Sequence, residues 1–242
     1  MQILSITRYP TKGFGGEQLA QTLVHRHKTL PGDRQHALQY ADRIPSNLEG
    51  WRPKKYFLQS VQTNLCSEIQ IKWTADIVQF DYRGNTFEIS RHALDKGEFT
   101  QWISSLTPDL GEFTLETLET GFTDEPDSYA SLVSQSTVTA IAEATATSNY
   151  PERYRGNLLI AGVPPFEELS WVGKTLKIGS ATFEVVEPIV RCKATEYDWH
   201  GSRTDGFLDR LDQQLDTDTC GLFLRAVSDG KIETNDQLKI LG

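Results

Sequence analysis

The strongest constraint on this chain is how its apolar residues are spaced: they recur in short alternating runs broken by turn residues, and only rarely at helical intervals. Residues 1–9 alternate around Ile3, Leu4 and Ile6, and residues 36–40 around Ala37 and Leu38. The run 68–90 breaks at Thr74-Ala75-Asp76 and again at Arg83-Gly84-Asn85. The second break predicts a hairpin with Ile77, Val78, Phe80 and Tyr82 on one arm and Phe87 and Ile89 on the other. Beyond Pro151, strands are expected at 158–161, 174–178, 181–186, 222–227 and 237–241, with Gly173, Gly179-Ser180 and Asp229-Gly230 turning between them. Helical spacing is confined to 54–64, 93–106 (weakened by Gly97 and ended by Thr107-Pro108), 136–148 and 207–215. The acidic stretch 109–127, punctuated by Pro and Gly, reads as a connecting loop. Strand and helix do not alternate regularly, which argues against a doubly wound parallel sheet. The expected class is mainly β with some α, an α+β chain: a smaller β-rich domain over 1–94, and a mostly antiparallel, barrel-like domain over 95–242.

At 242 residues the chain is long enough for one large or two small cores. Its 24 Lys+Arg against 33 Asp+Glu leave a formal charge of −9, which argues against a general grip on nucleic acid or anionic lipid. Local basic pockets remain compatible with that total. Three cysteines, an odd number, and no signal-like opening point to a reduced, cytoplasmic protein. No apolar run approaches the roughly 20 residues of a membrane span.

Three stretches carry more chemistry than packing requires. Lys12 follows Arg8-Tyr9-Pro10-Thr11, and Arg34 closes Leu30-Pro31-Gly32-Asp33; cations beside turn residues suit a phosphate, although two solvated loops would look the same. Arg153 and Arg155, separated by Tyr154 ahead of the apolar run 158–160, point to opposite faces if extended, so one of them would enter a pocket. Edge-strand protection is the competing explanation. Cys192, flanked by Arg191 and Lys193 after a β-like run, has the surroundings that favour a thiolate, the form that ligates metal or attacks; a small buried hydrophobe is the alternative. Cys66 and Cys220 lack such flanks and read as core residues. Neither a zinc ligand set nor a Gly-Lys-Ser/Thr phosphate loop is present in the sequence.

Taken in order, these stretches resemble the MOSC family, proteins built on the C-terminal domain of molybdenum-cofactor sulfurase and commonly preceded by a β-barrel-like N-terminal domain. Tyr9-Pro10-Thr11-Lys12 is similar to the family's Tyr-Pro-x-Lys start, and Gly32-Asp33-Arg34 to its Gly-x-Asp-Arg turn. Ser131-Leu132-Val133-Ser134 resembles the entry to the second domain, and 153–160 resembles Arg-Phe-Arg-Pro-Asn-Ile-x-Ile. Phe166-Glu167-Glu168 with Trp171 follows, and Arg191-Cys192 with Thr195 and Asp198 resembles Arg-Cys-x-x-Thr-x-x-Asp-Pro. Trp199 stands where that signature has Pro, Gly13 where a Ser often follows the Lys, and Gly156 where a Pro is usual.

The resemblance implies that Cys192 is the catalytic residue and the protein ligand of molybdenum. It implies that Lys12, Arg34, Ser134, Arg153, Arg155, Asn157 and Thr195 bind a molybdopterin-type cofactor. The implied activity is an oxidoreductase reducing N-hydroxylated or other N–O small-molecule substrates, with electrons from a separate donor protein and no nucleic-acid or membrane partner. Two alternatives stand beside it: a sulfur-carrier or cofactor-delivery module using a persulfide on Cys192, and a non-catalytic binding protein.

Overall fold

The structure, a computed structural model, describes residues 1–43, 50–91, 97–127, 129–200 and 202–241. Two compact units emerge: Met1–Arg8, Gln18–Pro31 and Asp127–Gly242 form one, Tyr9–Glu17 and Gly32–Pro126 the other. The domain boundary expected at 94/95 lies outside the described residues, as does Leu94 of the expected helix 93–106.

The first unit is an eight-stranded sheet in the order Leu238–Leu241, Thr175–Ile178, Ala181–Val190, Thr219–Ala226, Ala130–Ser134, Leu158–Ala161, Gln2–Arg8, Glu17–Leu19. Alternation does the sorting: Leu176, Ile178, Ala181, Phe183 and Val185 are fully buried while their neighbours along each strand are not. Ala130–Ser134 and Leu158–Ala161 pair in parallel, and the other pairings described in this sheet are antiparallel. The sheet curls into a half-barrel, so that Gln2 bridges to Gln237 and Leu238 N–H donates to the Met1 carbonyl at 3.0 Å. Ile3, Ile6, Leu132, Leu158, Ile160, Trp171, Leu222 and Leu224 are among the residues filling its core. Helices Gln135–Thr145 and Phe207–Leu215 close a smaller cluster around Val138, Ile141, Tyr154, Phe207 and Cys220.

In the second unit, Gln70–Trp73, Ile77–Tyr82 and Asn85–Ser90 form an antiparallel meander, and Glu98–Leu106 packs on it with Phe80 and Phe99 ring centroids 4.7 Å apart. The predicted hairpin is therefore present, with Tyr82 opposite Asn85.

Three local expectations are corrected. Over 54–64 only a 3₁₀ turn forms, at Lys54–Tyr56, because Phe57 and Leu58 are drawn into extended pairing with Gln39 and Leu38. The stretch 109–127 is not all loop, since Phe113–Thr117 pairs along the whole of His36–Tyr40. Gly97 does not weaken a helix interior but stands just before Glu98–Leu106 with φ 74°. Among the described residues no helix is long and apolar enough to cross a membrane. The architecture is α+β and mainly strand, as expected.

Candidate functional site

Where the strand Ala181–Val190 ends, Arg191 turns inward. Its guanidinium donates from Nε to the Cys220 carbonyl at 2.7 Å and from Nη1 to the Tyr154 carbonyl at 2.9 Å, and Nη2 also reaches the Cys220 carbonyl. Extended residues alternate in direction, so with Arg191 turned in, Cys192 faces out and is exposed. The flanking charge that made Cys192 a thiolate candidate is thus partly redirected: Arg191 is committed to main-chain carbonyls.

A 3₁₀ turn at Lys193–Glu196 follows. The Cys192 carbonyl accepts from the Thr195 N–H at 2.9 Å and the Thr195 hydroxyl at 2.7 Å. The Thr195 carbonyl in turn accepts from Arg153 Nη1 at 2.7 Å. Arg153 is buried, its guanidinium 4.8 Å from the Phe207 ring, and burial pulls its pKa down from the usual arginine value. Its Nε is buried without a hydrogen bond. Arg153 therefore braces the turn that presents Cys192, while Arg155, with φ 51°, lays its partly exposed guanidinium 4.5 Å over the Trp199 ring. Of the two arginines, Arg153 points in.

The departure from the signature beyond Asp198 has a structural form. Asp198 is buried, and its Oδ1 accepts from the His200 and Ser202 amides at 2.9 and 3.0 Å. The His200 ring lies 4.1 Å from that of Tyr150, and its Nε2 is 3.6 Å from Glu152. Asp198 is thus a loop staple, and Asp205 is paired with Arg203 at 2.8 Å. Among the described residues no group of three or more His, Cys, Asp and Glu gathers as a metal cage.

Asn157 and Ser134 are set inside the sheet. Asn157 Oδ1 accepts from the Ser131 amide at 3.0 Å and the Ser131 hydroxyl at 2.9 Å, while Nδ2 donates to the Thr7 carbonyl at 3.0 Å. This amide joins three neighbouring strands, and it is 1% exposed. Ser134, fully buried, contacts the Ser136 hydroxyl at 2.8 Å, which donates to the Val163 carbonyl at 2.7 Å. Asn157→Ala should cost about 3 kcal/mol, because it strands buried donors and an acceptor at roughly 1–3 kcal/mol each. Urea unfolding checks this, and a loss below about 1 kcal/mol would contradict the latch role.

In the second unit, Lys12 is buried, and its ammonium donates to the Phe122 carbonyl at 2.9 Å and to Asp124 Oδ1 at 2.6 Å. Arg34 pairs with the buried Asp33 and lies 5.1 Å over the Tyr9 ring. Burial lowers the Arg34 pKa, but Asp33, Asp124 and Tyr9 outweigh it and leave it raised. Lys12, ahead of burial and Arg34, acts most strongly on Asp124 and holds its carboxyl below the usual range.

One buried group escaped sequence inspection. Glu168 is fully buried; its Oε1 accepts from the Thr137 hydroxyl at 2.7 Å, its Oε2 has no hydrogen-bond partner, and burial pushes its pKa up. Its only signal was a place in the 166–171 motif. Nearby, burial pushes the Cys220 thiol up to about 12, and Cys66 is equally buried. Of the three cysteines, Cys192 alone is exposed.

Curled sheet, cation-braced turn and exposed thiol together define an α+β barrel-type protein presenting one accessible cysteine at a strand end. The MOSC domain model matches residues 119–239, and the chain belongs to that family. The solved YuaD protein from Bacillus subtilis matches over 99% of this chain and 94% of its own, at 12% identity and a TM-score of 0.52, a likeness of fold. YiiM from Geobacillus stearothermophilus matches over 47% of this chain and 54% of its own, at 15% identity and a TM-score of 0.39. No curated protein matches.

Proposed function

We propose that this chain, as a molybdenum-cofactor-related protein of the MOSC family, holds the cofactor through Cys192 and reduces N-hydroxylated or related N–O substrates. The observation that carries the reading is the exposed Cys192 thiol on a turn whose backbone is fixed by Thr195 and, through it, by Arg153. The donor set fits: Cys192 would hold the metal, and a soft thiolate suits molybdenum. When bound, the cofactor supplies the two-electron redox centre at which the N–O bond is broken.

The chain's own groups have distinct tasks in this reading. Thr195 and Arg153 fix the backbone turn that carries Cys192, while Asn157 and Ser134 serve the sheet as scaffold. Arg155, stacked on Trp199, would contribute its positive charge toward the pterin or the substrate oxygen. Lys12 and Arg34 take the phosphate. Electrons come from a separate donor protein, and the free thiols suit the reducing cytoplasm.

The exposure of Cys192 also suits a sulfur carrier that binds the cofactor briefly, and one measurement separates the two. Protein purified from a host that makes the cofactor should contain near-stoichiometric molybdenum. Metal-free protein without pterin absorbance would defeat the reading, and substoichiometric, readily exchanged cofactor would favour the carrier.

A further inference from the structure

Arg155 and Trp199 meet, and both hold backbone conformations that L-residues seldom adopt, φ 51° and φ 65°. Trp199 carries a second cost: its indole Nε1–H is buried with no hydrogen-bond partner. A proline, which the Arg-Cys-x-x-Thr-x-x-Asp-Pro signature has at this place, is locked at φ about −65° and could not follow the same path. Strain of this kind persists only where the surroundings over-determine it.

They do so here. Tyr197 and Arg203 bridge as antiparallel neighbours, Asp198 N–H donates to the Ser202 carbonyl at 3.1 Å, and Thr204 N–H donates to the Glu196 carbonyl at 2.7 Å. Arg203 Nη2 pairs with the buried Glu196 at 2.9 Å, and Asp198 Oδ1 holds the His200 and Ser202 amides, so the loop that carries Trp199 is fixed from both sides. It meets the segment 150–155 through two rings: His200 lies on Tyr150, and the indole lies under the Arg155 guanidinium. The indole is not held by its nitrogen, which bonds to nothing; what it presents to Arg155 is its face. Indole is the strongest cation–π partner among the aromatic side chains, and it holds a guanidinium without using any of its N–H donors.

We propose that Trp199 is a positioning residue: it holds the Arg155 guanidinium so that N–H donors of that group meet the oxygen of an N–O substrate. The inference rests on the reading that Cys192 carries a cofactor at which such substrates are reduced. It assigns the substrate oxygen to Arg155 and the placement of Arg155 to Trp199. Both residues lie in the unit that carries Cys192, and Trp199 stands on the loop that directly follows the turn Lys193–Glu196. The unpaired N–H and the left-handed backbone are then the cost of presenting an indole face at this point.

The test compares Trp199→Phe with Trp199→Leu in the full chain. Both remove the unpaired N–H and keep an apolar side chain on the same backbone; only Phe keeps a π face. In metal-free protein the Arg155 Nε–H resonance, identified by its loss in Arg155→Lys, should lie upfield of those of exposed arginines in wild type and in Trp199→Phe. In Trp199→Leu it should return to their range. In molybdenum-loaded protein, reduction of an N-hydroxylated amine should show KM raised about tenfold in Trp199→Leu with kcat within about twofold, the pattern of lost binding. Phe should bring KM back to within about threefold of wild type. Leu matching Phe in the resonance overturns the proposal, since burial alone then explains the indole, and so does an unchanged KM in Leu protein that carries the metal. Should Trp199→Leu not fold, the wild-type resonance decides: a position among the exposed arginines refutes the stack. The two readings fail separately, because protein that never loads molybdenum defeats the cofactor reading while the resonance still tests the placement of Arg155.

Discussion

Cys192→Ala is expected to retain the wild-type fold and thermal stability while losing both molybdenum and reductase activity. The first half follows from what Cys192 does structurally: its carbonyl, not its side chain, receives the Thr195 bonds that close the turn, and alanine keeps that carbonyl. Exposed substitutions of this kind stay within about 0.5 kcal/mol. The second half follows from ligand chemistry. Loss of even an outer-shell partner costs a metal site roughly 10–100-fold, so deleting the ligand itself should exceed about a hundredfold. Cys192→Ser sharpens the contrast, because a hydroxyl of similar size is a harder donor and should not restore the metal. The readouts are molybdenum per chain and reduction of an N-hydroxylated amine with a chemically reduced dye as donor. Full metal content in the alanine variant would remove Cys192 from the centre.

The reason Cys192 stands where it does was only half legible in the sequence. Its basic neighbours marked it, yet Arg191 serves it by pointing away, clamping the Cys220 and Tyr154 carbonyls so that alternation turns the next side chain outward. The hairpin over 77–90 was readable because its signal is local: alternating arms around Arg83-Gly84. Phe113–Thr117 was not, since its pairing with His36–Tyr40 is distant in sequence and its polar positions Thr114 and Glu116 resemble a loop. Ala130–Ser134 is buried at every position, so it shows no alternation at all. Motif resemblance located Asn157 and Asp198, but it could not reveal that Asn157 bonds the Ser131 amide and hydroxyl and the Thr7 carbonyl, or that Asp198 caps the His200 and Ser202 amides. Asp124, inside a stretch that looked like acidic linker, gains meaning only once Lys12 is seen beside it.

Gly221→Ala should be strongly destabilising in the first unit, at about 4 kcal/mol. Two independent costs combine. Gly221 has φ 86°, a conformation that costs an L-residue roughly 1–2 kcal/mol. A Cβ there would also lie 2.5 Å from the Leu132 carbonyl oxygen, 3.1 Å from Val133 Cγ2 and 3.1 Å from Arg191 Nη2. Backbone of the adjacent strand cannot retreat without loosening the pairing of Leu222 with Leu132, and overpacking of this kind costs about 1–3 kcal/mol. The position is a bulge: Cys220 and Gly221 together occupy the register between Thr219, opposite Val190, and Leu222, opposite Pro188. Gly84→Ala is the control, because Gly84 has nearly the same φ, 85°, with nothing within 4 Å of its Cβ direction. The difference between the two variants in urea unfolding isolates the contact from the backbone strain, and it should exceed about 2 kcal/mol. Because one of those contacts is the guanidinium that sets Cys192 outward, Gly221→Ala should also lower molybdenum content under conditions where the protein is still folded. Equal losses in the two variants would mean that the sheet absorbs the methyl freely, and that Arg191 is not held as tightly as its bonds to Cys220 and Tyr154 require.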